Sequence, residues 1–429
     1  MSEPAASEPA ARSRSSFWRS FGPGLIWAAT SIGVSHLVQS TRAGAEAGFA
    51  LAGVIVVALV LKYPFFEYGA RYAAATRRSL VEGYRDIGGW ALWLFLAITL
   101  LTAIISLAAL AMFMAFLTRY AFGAEWPLAA TAAVLMSVCV AVLAVGRFRG
   151  LDITIKILLA MLVLSTVATA LVAAPRADLS TLAIWPGDIV GTVVPFAFLL
   201  ALIGWMPSPV DVAVWSSLWT LAKDKTTGAK TSVADAKRDF LVGFVGTGIL
   251  ALIFVSVGAT VLYQADVALS DAGAVFSTQL VDMYSTTLGS WSRPIVLVAA
   301  MATIFSSLLA VTDGFPRAIE RTLANLRGRV AAETVTRVGR VYWWSMVTLP
   351  AIAFFIILGF SGSLTAMVDF ATTVAFLTAP ILGYFNLRAV TSEAVPPEHR
   401  PGRGMVTLTW VGLVLLGGTG LAYLASLVR

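Results

Sequence analysis

The chain has 429 residues, 59% of them hydrophobic and only 12% charged, against roughly 25% charged in soluble domains. A mean hydropathy of +0.85 is more apolar surface than soluble cores absorb, so a soluble enzyme is excluded and a membrane protein is expected. The single cysteine, Cys139, excludes disulfides within the chain, and with only two histidines, His36 and His399, a zinc site of three or more histidines is excluded.

Residues 1–20 are rich in Ser, Ala, Pro and Arg and lack an apolar stretch. They predict a disordered cytoplasmic tail rather than a cleaved signal peptide. Residues 21–429 predict a single transmembrane domain. Its apolar runs are each close to the ~20 residues that carry an α-helix across a bilayer. They predict eleven spans: 22–40, 48–70, 90–118, 127–145, 152–174, 191–222, 239–264, 293–312, 341–361, 364–388 and 403–427. The fold class is all-α and integral to the membrane.

Basic residues fall on alternate connections. Arg71, Arg77, Arg78 and Arg85 follow span 2, Lys223 to Arg238 follow span 6, and Arg317 to Arg340 follow span 8. The positive-inside rule then places the N-terminus in the cytoplasm and the C-terminus outside, in an inner membrane of bacterial type. The net charge of +7 thereby faces cytosol and anionic lipid, and nucleic acid is not an expected partner.

Spans 1 and 6 differ from the rest. Span 1 collects small and polar residues from Ser31 to His36, and span 6 carries Gly204-Trp205-Met206-Pro207-Ser208-Pro209-Val210-Asp211. Proline lacks a donor N–H and clashes with the preceding turn, so the helix must open there. Such a break at membrane depth is tolerated only where protein or a cavity surrounds it. Two broken helices five spans apart predict a 5+5 inverted repeat with its site at the midplane. Repeat one covers about 22–174, repeat two about 191–388, and an extra helix about 403–427.

At these two segments the sequence resembles the Nramp family of divalent-metal transporters, whose fold is LeuT-like. The family's first helix runs from Gly-Pro through Asp-Pro-Gly-Asn to Ala-Gly-Ala. Gly22-Pro23 and Ala43-Gly44-Ala45 stand at the same separation, and Met206-Pro207-Ser208 matches the family's Met-Pro-His in helix six. The Asp-Pro-Gly-Asn tetrad, however, falls on Gly33-Val34-Ser35-His36. The resemblance thus implies substrate-binding positions at Gly33, His36, Met206 and Ser208, with a backbone carbonyl from Ile203. The metal-binding aspartate has become glycine. Span 3, from Ala91 to Thr118, has no ionisable residue where relatives place proton-relay carboxylates. Proton coupling is therefore expected to be weaker than in those relatives.

Asp211, beside the second break, is a carboxylate able to offset a divalent charge, and His36 and Met206 are borderline-to-soft donors suited to Mn(II) or Fe(II). His36, Met206 and Asp211 are the expected metal ligands, and Asp369 in span 10 is a coupling candidate. Each has a structural alternative: His36 bridging frayed backbone, Met206 packing, Asp211 capping the resumed helix, Asp369 satisfied near an interface. Lys62 is expected to snorkel, Glu67 and Arg71 to form an interfacial pair, and Asp313-Gly314-Phe315-Pro316 to end span 8. Trp215 and Trp219 are expected to pack rather than to stack on a solute. The implied function is a secondary transporter of a small solute, a divalent cation first. A non-metal organic or anionic solute on the same scaffold is the alternative, because Gly33 enlarges the cavity and removes charge. No cofactor is expected, the partners are solute and lipid, and a monomer suffices.

Overall fold

The computed structural model describes residues 22–146, 148–176, 183–328, 339–360 and 363–428; the tail at 1–20 lies outside them. The described residues form helices and no strand. Helix α1 is Pro23–Ser31 and α2 is Thr41–Ala47, joined through a π turn at Ser35–Ser40. Then come α3 (Ala52–Thr76), α4 (Leu80–Ile87), α5 (Gly89–Phe122), α6 (Leu128–Val145) and α7 (Phe148–Ala173). The second half holds α8 (Phe196–Gly204), α9 (Val212–Thr227), α10 (Val233–Val257, prolonged by a π turn at Gly258–Leu262), α11 (Gly273–Leu288), α12 (Ser292–Leu326), α13 (Arg340–Gly359), α14 (Leu364–Val390) and α15 (Arg403–Ser426). Among the described residues eight helices are long and apolar enough to cross a membrane unaided. Spans 1 and 6 are the two that appear as pairs of short helices, α1 with α2 and α8 with α9.

Two predicted connections contain helices of their own. Helix α4 starts at a reciprocal cap in which the Ser79 N–H donates to Glu82 Oε2 at 2.7 Å. The other Glu82 oxygen receives Arg321 at 2.5 Å and Asn325 Nδ2 at 3.1 Å, fastening α4 to the end of α12. Helix α11 packs on α5, α7 and α12.

The expected end of span 8 at Asp313–Pro316 is corrected: α12 continues through Pro316 to Leu326. The side chains there hold the turn together. Asp313 pairs with Arg317 at 2.7 Å and accepts from Tyr342 Oη at 2.6 Å. Gly314 lies so close to the Trp215 ring that an added Cβ would sit 2.8 Å from it. The expected Glu67–Arg71 pair forms and is buried in the protein: Arg71 donates twice to Glu67, at 2.8 and 2.9 Å, and once to the His399 carbonyl at 3.0 Å.

Both halves of the first broken helix press against α10 through paired glycines. A Cβ on Gly24 would meet the Asp239 carbonyl oxygen at 2.2 Å, and one on Gly243 would meet the Gly24 carbonyl oxygen at 2.4 Å. Further along, Gly44 and Gly258 stand in the same reciprocal relation, to the carbonyls of Val255 (2.1 Å) and Thr41 (2.3 Å). Helices in lipid associate by packing rather than by hydrophobic exclusion, so close backbone approach at small residues is what fixes this pair. Gly44→Val should therefore destabilise the protein by about 2 kcal/mol or more through overpacking. Gly246→Val, on the open face of α10 with nothing near its Cβ, should be close to neutral. Thermal unfolding of both variants in detergent checks the contrast, and equal midpoints would contradict it.

Candidate functional site

The first break arises where α1 stops at Ser31 and Ile32 turns to an extended conformation (φ −78°, ψ 100°). Serine hydroxyls gather around it, and Ser35 Oγ lies 2.9 Å from the Ser31 carbonyl across the break. Ser31 Oγ donates to the Trp27 carbonyl at 2.8 Å. Ser307 Oγ, from α12, donates to the Thr303 carbonyl at 3.2 Å and stands 3.5 Å from the Ile32 carbonyl. Gly33 leaves room beside it: a Cβ there would lie 2.7 Å from Ser307 Oγ and the hydroxyl would have to turn away. The second break spans Trp205 to Asp211, where Pro207 and Pro209 supply no N–H. Helix α9 then resumes with Asp211 at its N-cap position. The two breaks approach each other, Ser35 Oγ lying 3.4 Å from the Pro207 carbonyl.

Between them lies a cavity of about 40 Å³ walled by α1, α5, the second break and α12. Its hydroxyls are Thr30, Ser31, Ser35, Ser106, Ser208 and Ser307. Its apolar wall includes Leu110, Trp205, Trp215 and Phe315, and no ionisable side chain lines it. The Trp205 and Trp215 indole N–H groups have no partner within the protein. Trp215 packs edge-on against Phe315, with centroids 4.8 Å apart, while also facing the cavity. Packing and a solute-facing wall are thus combined in one residue.

The residues expected to act are only partly brought together. Gly33 and Ser208 line the cavity; His36, Met206, Ile203 and Asp211 do not. His36 is fully buried and turned toward α10, with Nε2 3.0 Å from the Thr247 carbonyl and Nδ1 2.8 Å from Ser35 Oγ. A carbonyl can only accept, so Nε2 carries a proton and Nδ1 of the neutral ring accepts from the Ser35 hydroxyl. The Ser31 carbonyl, 2.9 Å from Ser35 Oγ, is an alternative acceptor for that hydroxyl. Both ring nitrogens are occupied within the protein. Met206 is fully buried in the core, at a cis peptide bond to Pro207. Asp211 accepts from Thr102 Oγ1 at 2.9 Å through one oxygen, while its other oxygen is buried without a partner. Among the described residues no three His, Cys, Asp or Glu side chains cluster as a metal site.

Lys62 departs most from expectation. It does not snorkel but is 1% exposed, with Nζ donating to the carbonyls of Ile203 (3.0 Å), Gly204 (2.9 Å) and Ser208 (3.2 Å). Its ammonium therefore holds the carbonyl that the resemblance assigned to substrate. Asp211 lies within electrostatic reach. The legible signal was depth, because Lys62 stands far from either end of α3 and cannot reach an interface.

Asp369 belongs to a different cluster. Arg42 Nη1 donates to Asp369 Oδ1 at 2.8 Å, Gln39 Nε2 to the same oxygen at 2.9 Å, and Arg42 Nε to Glu46 at 3.2 Å. The guanidinium lies 4.4 Å above the Phe198 ring. This cluster ties α2 to α14 and α8. At the opposite end of the broken helix, the Asp239 carboxylate accepts from Gly24 N at 2.8 Å and Gly22 N at 3.3 Å. A carboxylate is favoured at this helix N-terminus by the backbone dipole.

Comparison with known proteins agrees with this architecture. An uncharacterized protein of Pasteurella multocida is 30% identical over 410 residues, covering 94% of this chain and 92% of that one. Among solved structures, the Eremococcus coleocola manganese transporter superposes with a TM-score of 0.77 at 15% identity, covering 98% of this chain and 89% of that one. MhsT, in complex with L-phenylalanine, superposes with a TM-score of 0.65 at 13% identity, over 97% and 98% of the two chains. These likenesses establish the LeuT-like fold. The model of the natural resistance-associated macrophage protein-like (Nramp) family matches residues 24–426, and the chain belongs to that family of multi-pass membrane transporters.

Proposed function

We propose that the chain is a secondary transporter that moves a small cation, first a divalent metal ion of the Mn or Fe type, by alternating access through the cavity between its two broken helices. The observation that carries the reading is the meeting of both breaks at one small hydroxyl-lined cavity in a chain of this family. The manganese transporter of similar fold supports the substrate class. The site is altered. With no carboxylate in the cavity wall, an entering ion keeps inner-sphere water, and the serine and threonine hydroxyls bond to those waters. Asp211, with its unpartnered oxygen, is the charge that compensates the ion once the Lys62 ammonium within its electrostatic reach has moved away. His36 and Met206 become direct ligands only if the second break rearranges and His36 gives up Ser35. The orientation we infer is N-terminus inside and C-terminus outside, from the basic connections after spans 2, 6 and 8.

A second reading, transport of a small organic or anionic solute, is favoured by one observation. The two unpartnered indole N–H groups of Trp205 and Trp215 are donors, and donors suit a carbonyl or carboxylate rather than a bare cation.

Mn(II) uptake into proteoliposomes separates the two. The native chain should show saturable uptake, reduced about tenfold or more by Asp211→Asn, the equivalent of losing ~1.4 kcal/mol of ion stabilisation. His36→Ala and Met206→Ala in the same assay decide whether those residues ligate. Absence of uptake above empty liposomes by folded protein would retire the metal substrate and leave the organic one.

The Arg42–Asp369 cluster makes a separate prediction, since it joins the outer half of the broken helix to α14. In a background with the buried Cys139 replaced by alanine, a cysteine placed by Thr372→Cys should react slowly with an impermeant thiol reagent added outside. Adding Arg42→Gln should accelerate that labelling several-fold; an unchanged rate would show that the cluster does not close this mouth.

A further inference from the structure

The three carbonyls that receive Lys62 come from the segment whose regular helical bonding ends at Gly204 and resumes at Val212. The Ile203 oxygen also accepts from the Met206 N–H at 3.2 Å; the Gly204 and Ser208 oxygens, released from helical bonding, must find partners inside the protein, because lipid offers none. Oxygens of an unwound transmembrane helix are the groups that elsewhere coordinate a small cation. Here an ammonium supplies three N–H donors, and three acceptors at 2.9–3.2 Å take them. The ring of Phe66 lies 5.6 Å from the nitrogen, adding an apolar wall that a cation tolerates. Asp211 is the one charged side chain acting on Lys62 among the described residues, and it retains a buried oxygen with no hydrogen-bond partner. Carbonyl cage, nearby carboxylate and exclusion from water together make a cation site, and the chain fills it covalently.

We propose that Lys62 is a tethered cation occupying a monovalent-cation site built by the carbonyls of Ile203, Gly204 and Ser208 and balanced by Asp211. The inference does not depend on which solute is carried. It gives Lys62 a role that a packing residue would not have: its charge replaces an ion that would otherwise be drawn from solution. It also assigns the Ile203 carbonyl to the lysine in the described state, so that a carried ion reaches that oxygen only when the ammonium moves aside. A transporter built this way needs no dissolved monovalent ion to hold its second break in shape.

The test removes the tether and asks whether a free cation takes its place. Lys62→Ala protein in detergent is unfolded thermally in choline medium and in Na⁺ or methylammonium medium of equal ionic strength. The expected result is a saturable rise in Tm of about 2–5 °C with Na⁺ or methylammonium, absent from the native protein and diminished when Asp211→Asn is added. Lys62→Met, which fills the space without charge, should not respond. If Lys62→Ala fails to fold in choline, recovery of folded protein when Na⁺ or methylammonium is present supports the site equally. The proposal is overturned if Lys62→Ala behaves the same in every cation, if it stays unfolded in all of them, or if the native protein shows the same rise. None of these readouts involves transport, so they stand apart from failure of the Mn(II) assay.

Discussion

Every polar group uncovered by a helix break inside a bilayer must be satisfied by the protein itself, and this constraint organises the centre of the molecule. The first break is bridged by the Ser35 hydroxyl, 2.9 Å from the Ser31 carbonyl, and by the Thr247–His36–Ser35 chain, while Ser31 and Ser307 bond back to their own helices. The second is satisfied by a lysine. The difference follows from local composition. Around the first break short hydroxyl side chains reach their own preceding turn, whereas the prolines of the second leave the Gly204 and Ser208 carbonyls without a local backbone donor, Ile203 keeping one from the Met206 N–H at 3.2 Å. A single long side chain from α3 answers that need. The cavity is what remains between the two repairs, which is why its wall is neutral and rich in hydroxyls.

The scaffold around the breaks is rigid where they must not move and polar where they could. Reciprocal glycine contacts clamp the first broken helix to α10 along its length. Charge adds to the contact at the same two ends: Asp239 at the N-terminus of α1, and Arg42 with Asp369 and Glu46 at α2. Ion pairs exposed to water on one side are easily exchanged for solvent, since such contacts contribute little net stability. Close-packed glycine interfaces are not exchanged in this way.

Most of the architecture was legible because hydropathy and proline act locally. The apolar run at 403–427 became α15 at Arg403–Ser426, and the Gly204–Asp211 segment opened as its two prolines require. Tertiary partners were not legible. Pro316 sits within a continuous helix because Asp313, Arg317, Tyr342 and Trp215 fasten that turn. Ser106 and Ser307 gave no signal, since serines within apolar spans commonly bond their own backbone. His36 was legible as important but not as directed away from the cavity, because one residue of register in a π turn decides which neighbour an imidazole meets. Lys62 was read as snorkelling although its depth in α3 forbids it.

Replacement of the family's aspartate by Gly33 thus belongs with the other changes rather than standing alone. A carboxylate at that position would face Ser307 at the cavity wall, while beside the second break the chain buries a negative charge at Asp211 and a positive one at Lys62. The cation that the proposed mechanism carries must then bind mostly through water and hydroxyl oxygen. The most direct measurement is equilibrium Mn(II) binding to purified protein by loss of the free-ion paramagnetic resonance signal, comparing the native chain with Ser106→Phe, which fills the cavity from α5. The account predicts saturable binding in the native protein and its loss in the folded variant; binding that survives with the cavity filled would place the ion elsewhere and contradict it.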